Sequence, residues 1–125
     1  MDLPVPPPPL TPSLGPLRPA GHGAEQVQRL ADALHARGMR LLGDLTTNHT
    51  GDTHEWFRAA LADPEGPGRG WYCFRADGSY ECWMGHHTLP KLDHTSAEMR
   101  AAMVEGPESV VARWMRPPVA LDGWR

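Results

Sequence analysis

The run Gly38-Met-Arg-Leu-Leu-Gly-Asp44-Leu-Thr-Thr-Asn48-His49-Thr50-Gly51-Asp52 constrains this chain more than any other stretch. It reads as a buried strand over residues 39–45 that stops at a cluster of hydrogen-bonding side chains. A strand that is apolar almost throughout fits a parallel sheet with helices on both faces. In barrels and open α/β sheets, ligands bind at the C-terminal ends of such strands. A fold needs the strand; it does not need Asp, Asn and His together at that end.

The neighbouring segments supply the rest of an α/β unit. Val27, Leu30 and Leu34 recur at helical spacing with Ala31 beside them, and Arg37-Gly38 is a helix stop with a C′ glycine. After the polar cluster, Thr53 to Phe57 opens a short helix that should end near Pro64, and residues 63–70 are rich in turn formers. Residues 71–74 and 79–83 flank Asp77-Gly78, a hairpin turn signal. With a two-residue turn, Cys73 and Cys82 would face each other at a spacing that allows a disulfide, although a reducing compartment argues against one. Thr95-Ser96-Ala97-Glu98 has the form of a capping box that starts a helix over residues 96–104. Pro107-Glu108 begins another helix, carrying Val110, Val111 and Trp114 and stopping before Pro117-Pro118. Residues 119–125 read as a second buried strand. The order is helix, strand, long excursion, helix, strand, which fits parallel strands joined by helical crossovers. The excursion, residues 46–93, is far longer than an ordinary βα loop, and such insertions usually carry function.

Composition narrows the setting. The chain has 125 residues, the size of one domain, and a net charge of −3. It therefore offers no basic field for nucleic acid or anionic lipid. No apolar run approaches the ~20 residues of a membrane span. The first residues lack the order of a secretory signal, and two cysteines exclude a disulfide scaffold, so a cytoplasmic setting is expected. Residues 1–22 hold eight of the 14 prolines and are expected to be an extended or disordered tail, with residues 23–125 as the folded part. A proline-rich recognition motif is the rival reading of the tail.

Several motifs together resemble the α-amylase family of glycoside hydrolases. Asp44-Leu-Thr-Thr-Asn48-His49 resembles its first signature, Asp-x-x-x-Asn-His, and Trp56-Phe57 follows as in that family. Asp77-Gly-Ser-Tyr80-Glu-Cys-Trp83 and Leu89-Pro-Lys91-Leu-Asp93 resemble the body and end of its inserted domain B. Ser109-Val-Val with Trp114, then Asp122-Gly-Trp-Arg125, resembles the approach to its next signature, Gly-x-Arg-x-Asp. Each motif alone is weak to moderate; four in order, over residues 24–125, are strong. The resemblance implies part of a (β/α)8 TIM barrel, with residues 39–45 as strand three, residues 119–125 as strand four and domain B at about residues 50–93.

It also implies roles. Asp44 would hold Arg125 through a two-bond carboxylate–guanidinium fork. His49 would hydrogen-bond the sugar where cleavage occurs, and Arg125 would line the same site. Asn48 belongs to the site framework and matches a position that binds calcium through its amide oxygen. Lys91, however, stands where calcium-binding members carry Asp. It is similar to the neopullulanase, cyclomaltodextrinase and maltogenic amylase branch and disfavours the cation, so no cofactor is expected. Tyr80 and Trp83 are candidates for stacking on sugar, against the plainer role of filling a small core. His86, His87 and His94 with the two cysteines lack zinc-site spacing. The nucleophile, general acid and second catalytic Asp of the family match no residue up to Arg125, so the chain alone is expected to be inactive. The implied partner is an α-glucan of the maltodextrin, cyclodextrin or pullulan type; that branch often forms a homodimer, and the sequence leaves the oligomeric state of the intact enzyme open. A glucosyl-transferring relative and a non-catalytic carbohydrate-binding remnant are the alternatives.

Overall fold

A computed structural model describes residues 22–125, and the proline-rich tail expected over residues 1–22 lies outside these apart from His22. In chain order the elements are α1 (His22–His35), β1 (Leu42–Gly43), α2 (Glu55–Ala62), α3 (Ala97–Arg100), α4 (Val110–Met115) and β2 (Gly123–Trp124).

The turn out of α1 follows its sequence. Gly38 adopts φ +73°, its amide donates to the His35 carbonyl at 3.0 Å, and the Met39 amide donates to the Leu34 carbonyl at 2.9 Å. This nested pair of bonds is a Schellman cap, and its left-handed position favours a residue without Cβ. Ala31 is fully buried, whereas Leu30, expected beside it, is largely open to solvent.

β1 and β2 pair in parallel, with Leu42 opposite Gly123 and Gly43 opposite Trp124. The ladder extends beyond the regular strands. The Asp122 amide donates to the Leu41 carbonyl at 2.9 Å, Arg125 to Gly43 at 2.7 Å and Leu45 to Arg125 at 2.9 Å. These strands are shorter and more open than their apolar runs imply, with Leu42 59% exposed. The reason is one-sided cover. Leu41 and Trp124 pack with Val27 of α1, Val110 and Trp114 of α4, and Val119 and Leu121. Leu42, next along the strand, faces the other way.

The excursion folds on α2. His54 caps this helix, its Nδ1 accepting from the Trp56 amide at 3.0 Å, and the helix buries Phe57 and Ala60. Arg69, in the tight turn Pro67–Trp71, donates to the Ala60 carbonyl at 3.1 Å and lies 3.6 Å over the Phe74 ring. The hairpin turn has three residues, not two. Gly78 at φ +89° donates to the Arg75 carbonyl at 3.0 Å, and the Arg75 amide donates to the Ser79 carbonyl at 2.7 Å. A left-handed glycine closing a three-residue loop shifts the register by one. Phe74 therefore pairs with Tyr80, and Cys73 lies opposite Glu81 instead of Cys82. Both thiols are free. Burial pushes the Cys73 thiol up, with the neighbouring Asp93 charge adding to it.

Residues 89–93 form the middle of this small sheet. One edge bonds the loop after β1, through Leu92 N–H to Asn48 O at 2.9 Å and Thr50 N–H to Pro90 O at 3.2 Å. The other edge bonds the hairpin, through Lys91 N–H to Glu81 O at 2.9 Å and Cys73 N–H to Lys91 O at 3.3 Å.

Ser96, one residue later than expected, caps α3 by accepting from the Met99 amide at 3.2 Å. Thr95 instead donates its hydroxyl and amide to Asp93 Oδ1, at 2.6 and 2.9 Å. The helix widens over Ala101–Glu105, where Gly106 N–H reaches back to Ala101 O at 2.9 Å. Ser109 then caps α4. The core has two parts, one around Phe57, Tyr72, Leu92 and Met99, the other around Trp114 and Leu121, and Trp56 packs against both.

Candidate functional site

Because β1 and β2 are parallel, their C-terminal ends lie at the same end of the sheet. Asp44 follows β1 and Arg125 follows β2. Arg125 Nε lies 3.4 Å from Asp44 Oδ1, with the side chains 83% and 63% exposed. The residues meet as expected, but through one long contact instead of the two-bond fork.

The chain then turns into the loop carrying Asn48 and His49. Leu92 and Pro90 hold it by the backbone bonds described above, which sets His49 directly opposite Lys91. Asn48 Nδ2 lies 3.2 Å from His49 Nδ1. An amide NH2 donates, so Nδ1 accepts, and in the neutral ring Nε2 is then the donor. Behind the loop, the Thr50 and Tyr72 hydroxyls bond at 2.8 Å in a buried position.

The two aromatic candidates separate. Trp83 is 43% exposed, with its ring centroid 5.9 Å from that of His49 and 5.8 Å from that of His86, nearly parallel to the latter. Left-handed backbone at Met84 and Gly85 makes the turn that holds this ring outward. Tyr80 points inward, edge-on to Phe57 at 4.9 Å, and its hydroxyl donates to the His87 carbonyl at 2.7 Å. It fills the core, because the three-residue turn places it opposite Phe74 over α2.

Sequence reasoning missed one contact. His94 Nε2 lies 2.6 Å from the Thr47 carbonyl, which ties the end of the excursion to the residue before Asn48. Its adjacency to Leu-Pro-Lys-Leu-Asp was the signal available. The Asp93 carboxyl is lowered from its ordinary value, first by the Thr95 hydroxyl and then by the Thr95 amide. Among the described residues, no three His, Cys, Asp or Glu side chains gather as a metal-binding group. Lys91, the residue expected to oppose calcium, pairs through its backbone with His49, next to Asn48 in the chain.

The profile described as the catalytic domain of alpha-amylase matches residues 20–125. The chain belongs to the α-amylase family. Over 81% of its length it is 27% identical to the trehalose synthase of Pimelobacter sp. strain R48, of which the match spans 21%. Among solved structures it is similar to a cyclomaltodextrinase, with TM-score 0.64 and 26% identity over 82% of this chain and 18% of that one. It is also similar to the cyclic alpha-maltosyl-(1→6)-maltose hydrolase of Arthrobacter globiformis in complex with maltose. There the TM-score is 0.67 and the identity 26% over 81% of this chain and 24% of that one. The chain thus spans less than a quarter of each of these α-amylase-family relatives, and its fold is a part of their barrel. Among the described residues, no helix is long and apolar enough to cross a membrane.

Proposed function

We propose that this chain is the sugar-binding and orienting portion of an α-glucan-acting retaining glycosidase. The observation that carries the reading is the gathering of Asp44, Asn48, His49 and Arg125 at the C-terminal ends of two parallel strands, the position where barrels bind ligands. His49 offers its Nε2–H to a sugar hydroxyl. Arg125 contributes a charge that would favour the ionised form of a nearby nucleophile, and Asp44 steadies that charge. Trp83 supplies the open ring face for stacking on a pyranose, while Tyr80 shapes the wall from inside.

The substrate class is α-1,4- or α-1,6-linked glucan: maltodextrin, cyclodextrin or pullulan. Similarity to a cyclomaltodextrinase and to a cyclic maltosyl-maltose hydrolase supports it. The carboxylates that break the bond lie beyond Arg125 by the family pattern, so these 125 residues bind without turnover. No bound calcium is assigned, because Lys91 opposes it. A cytoplasmic setting fits a chain whose two cysteines are both free thiols.

Titration of the chain with maltotriose, followed by NMR at the His49 and Trp83 rings, tests this. Shifts with maltotriose and none with cellotriose support it. Equal responses to both sugars, no response, or hydrolysis of a nitrophenyl maltoside by the purified chain overturn it. Similarity to a trehalose synthase favours a second reading, transfer of the glucosyl group to a sugar instead of water. The products made by the intact enzyme decide between the two.

A further inference from the structure

We infer that His94 is a positioning residue for the sugar-contacting loop, holding Asn48 and His49 in place through the Thr47 carbonyl; its ligand rests on the α-glucan reading above. The Thr47 carbonyl can only accept. His94 Nε2, 2.6 Å away, is therefore the donor and carries the ring proton.

The place of this bond in the loop gives it leverage. Leu45 is held by Arg125 and Asn48 by Leu92, both through backbone bonds. Between them His94 supplies a side-chain tie, two residues past the point where Leu92 bonds Asn48. His94 is itself fixed on both sides. Its own carbonyl accepts from Arg100 Nη1 at 2.6 Å. Its neighbour Asp93 donates its amide to the Trp71 carbonyl at 2.8 Å and accepts from Thr95. A donor anchored in this way transmits the position of α3 and the excursion to the residue next to Asn48. Removing it leaves residues 46–47 free to swing, and the His49 ring then loses its fixed spacing from Trp83.

The test uses the full 125-residue chain with His94→Ala and His94→Gln. Glutamine places an N–H donor near the position of Nε2, so it restores the tie without the ring. In His94→Ala, exchange of the Leu92 and Thr50 amides, which bond Asn48 and Pro90 across the loop, rises roughly fivefold and maltotriose binding weakens by a similar factor, the scale of one exposed hydrogen bond. Exchange at Leu121, bonded to Trp114 in the distant part of the core, stays unchanged. His94→Gln recovers both loop protection and affinity. If His94→Ala fails to fold, His94→Asn, whose amide falls short of Thr47, replaces it in the comparison with His94→Gln. A maltotriose response in which the shortened variant behaves as wild type, or in which glutamine fails to rescue, overturns this inference alone. No maltotriose response in the wild-type chain overturns the α-glucan reading, and the sugar role of His94 with it.

Discussion

Asp122 Oδ2 accepts the Leu41 amide at 2.7 Å, closing the start of the parallel ladder with a side chain. The same oxygen takes His35 Nε2 at 2.8 Å, so one carboxylate joins the end of α1 to both strands. These bonds, the Leu41 amide first and His35 second, lower the Asp122 pKa below that of a free carboxylate. A lowered folded-state pKa stabilises the fold above the unfolded value, about 3.9, and that contribution fades as pH falls through the folded value. Thermal unfolding between pH 7 and pH 2 should therefore show a steeper acid loss in the wild-type chain than in Asp122→Asn. Parallel profiles would remove Asp122 as the cause.

Arg125 and Asp44 meet through one exposed contact, and such pairs contribute under about 1 kcal/mol. Arg125→Ala should leave denaturant stability within that margin, since the strand bonds of residue 125 are made by its backbone. A loss of maltotriose affinity in that variant then reports on the site and not on folding. A large fall in urea midpoint would contradict the exposed geometry.

Ser109 is fully buried and uses its hydroxyl twice, accepting from the Ala112 amide at 3.1 Å and donating to the Val104 carbonyl at 3.2 Å. Ser109→Ala strands a donor at the start of α4 and an acceptor at the end of the preceding helix. The expected cost is about 1–3 kcal/mol, read from chemical denaturation. Ser109→Thr keeps the hydroxyl but adds a methyl in a filled site, and should fall between.

Lys91 sits on the strand opposite His49, beside Asn48. Exchanging its ammonium for a carboxylate removes a cation from this strand and supplies a hard oxygen ligand at a position paired one residue from Asn48. Calcium should leave the melting temperature of the wild-type chain unchanged and raise that of Lys91→Asp, the fold gaining about 2.7 kcal/mol at a hundredfold excess over Kd. An equal calcium response in both would remove Lys91 as the determinant.

What could be read from the sequence followed the range of the signals. The Gly38 stop, the helix after His54 and the parallel order of the strands depend on local chemistry and spacing, and all are present. The meeting of Asp44 with Arg125 was implied by the family resemblance, and the parallel order brings the two strand ends to the same side. Asp77-Gly78 suits two-residue and three-residue turns alike, and only pairing decides between them. That one-residue difference sends Tyr80 inward. An apolar run cannot state how many faces are covered, so Leu42 read as buried. The His94 bond to Thr47 joins residues far apart in the chain, and no periodicity signals it.

The hairpin register has one more result. Cys73 pairs with Glu81, and Cys82 lies on the other face of its strand, so the ladder as formed does not set the two thiols opposite each other. The turn at Gly78 thus leaves the wall around Trp83 to be shaped by its backbone ladder and not by a covalent cross-link between its strands.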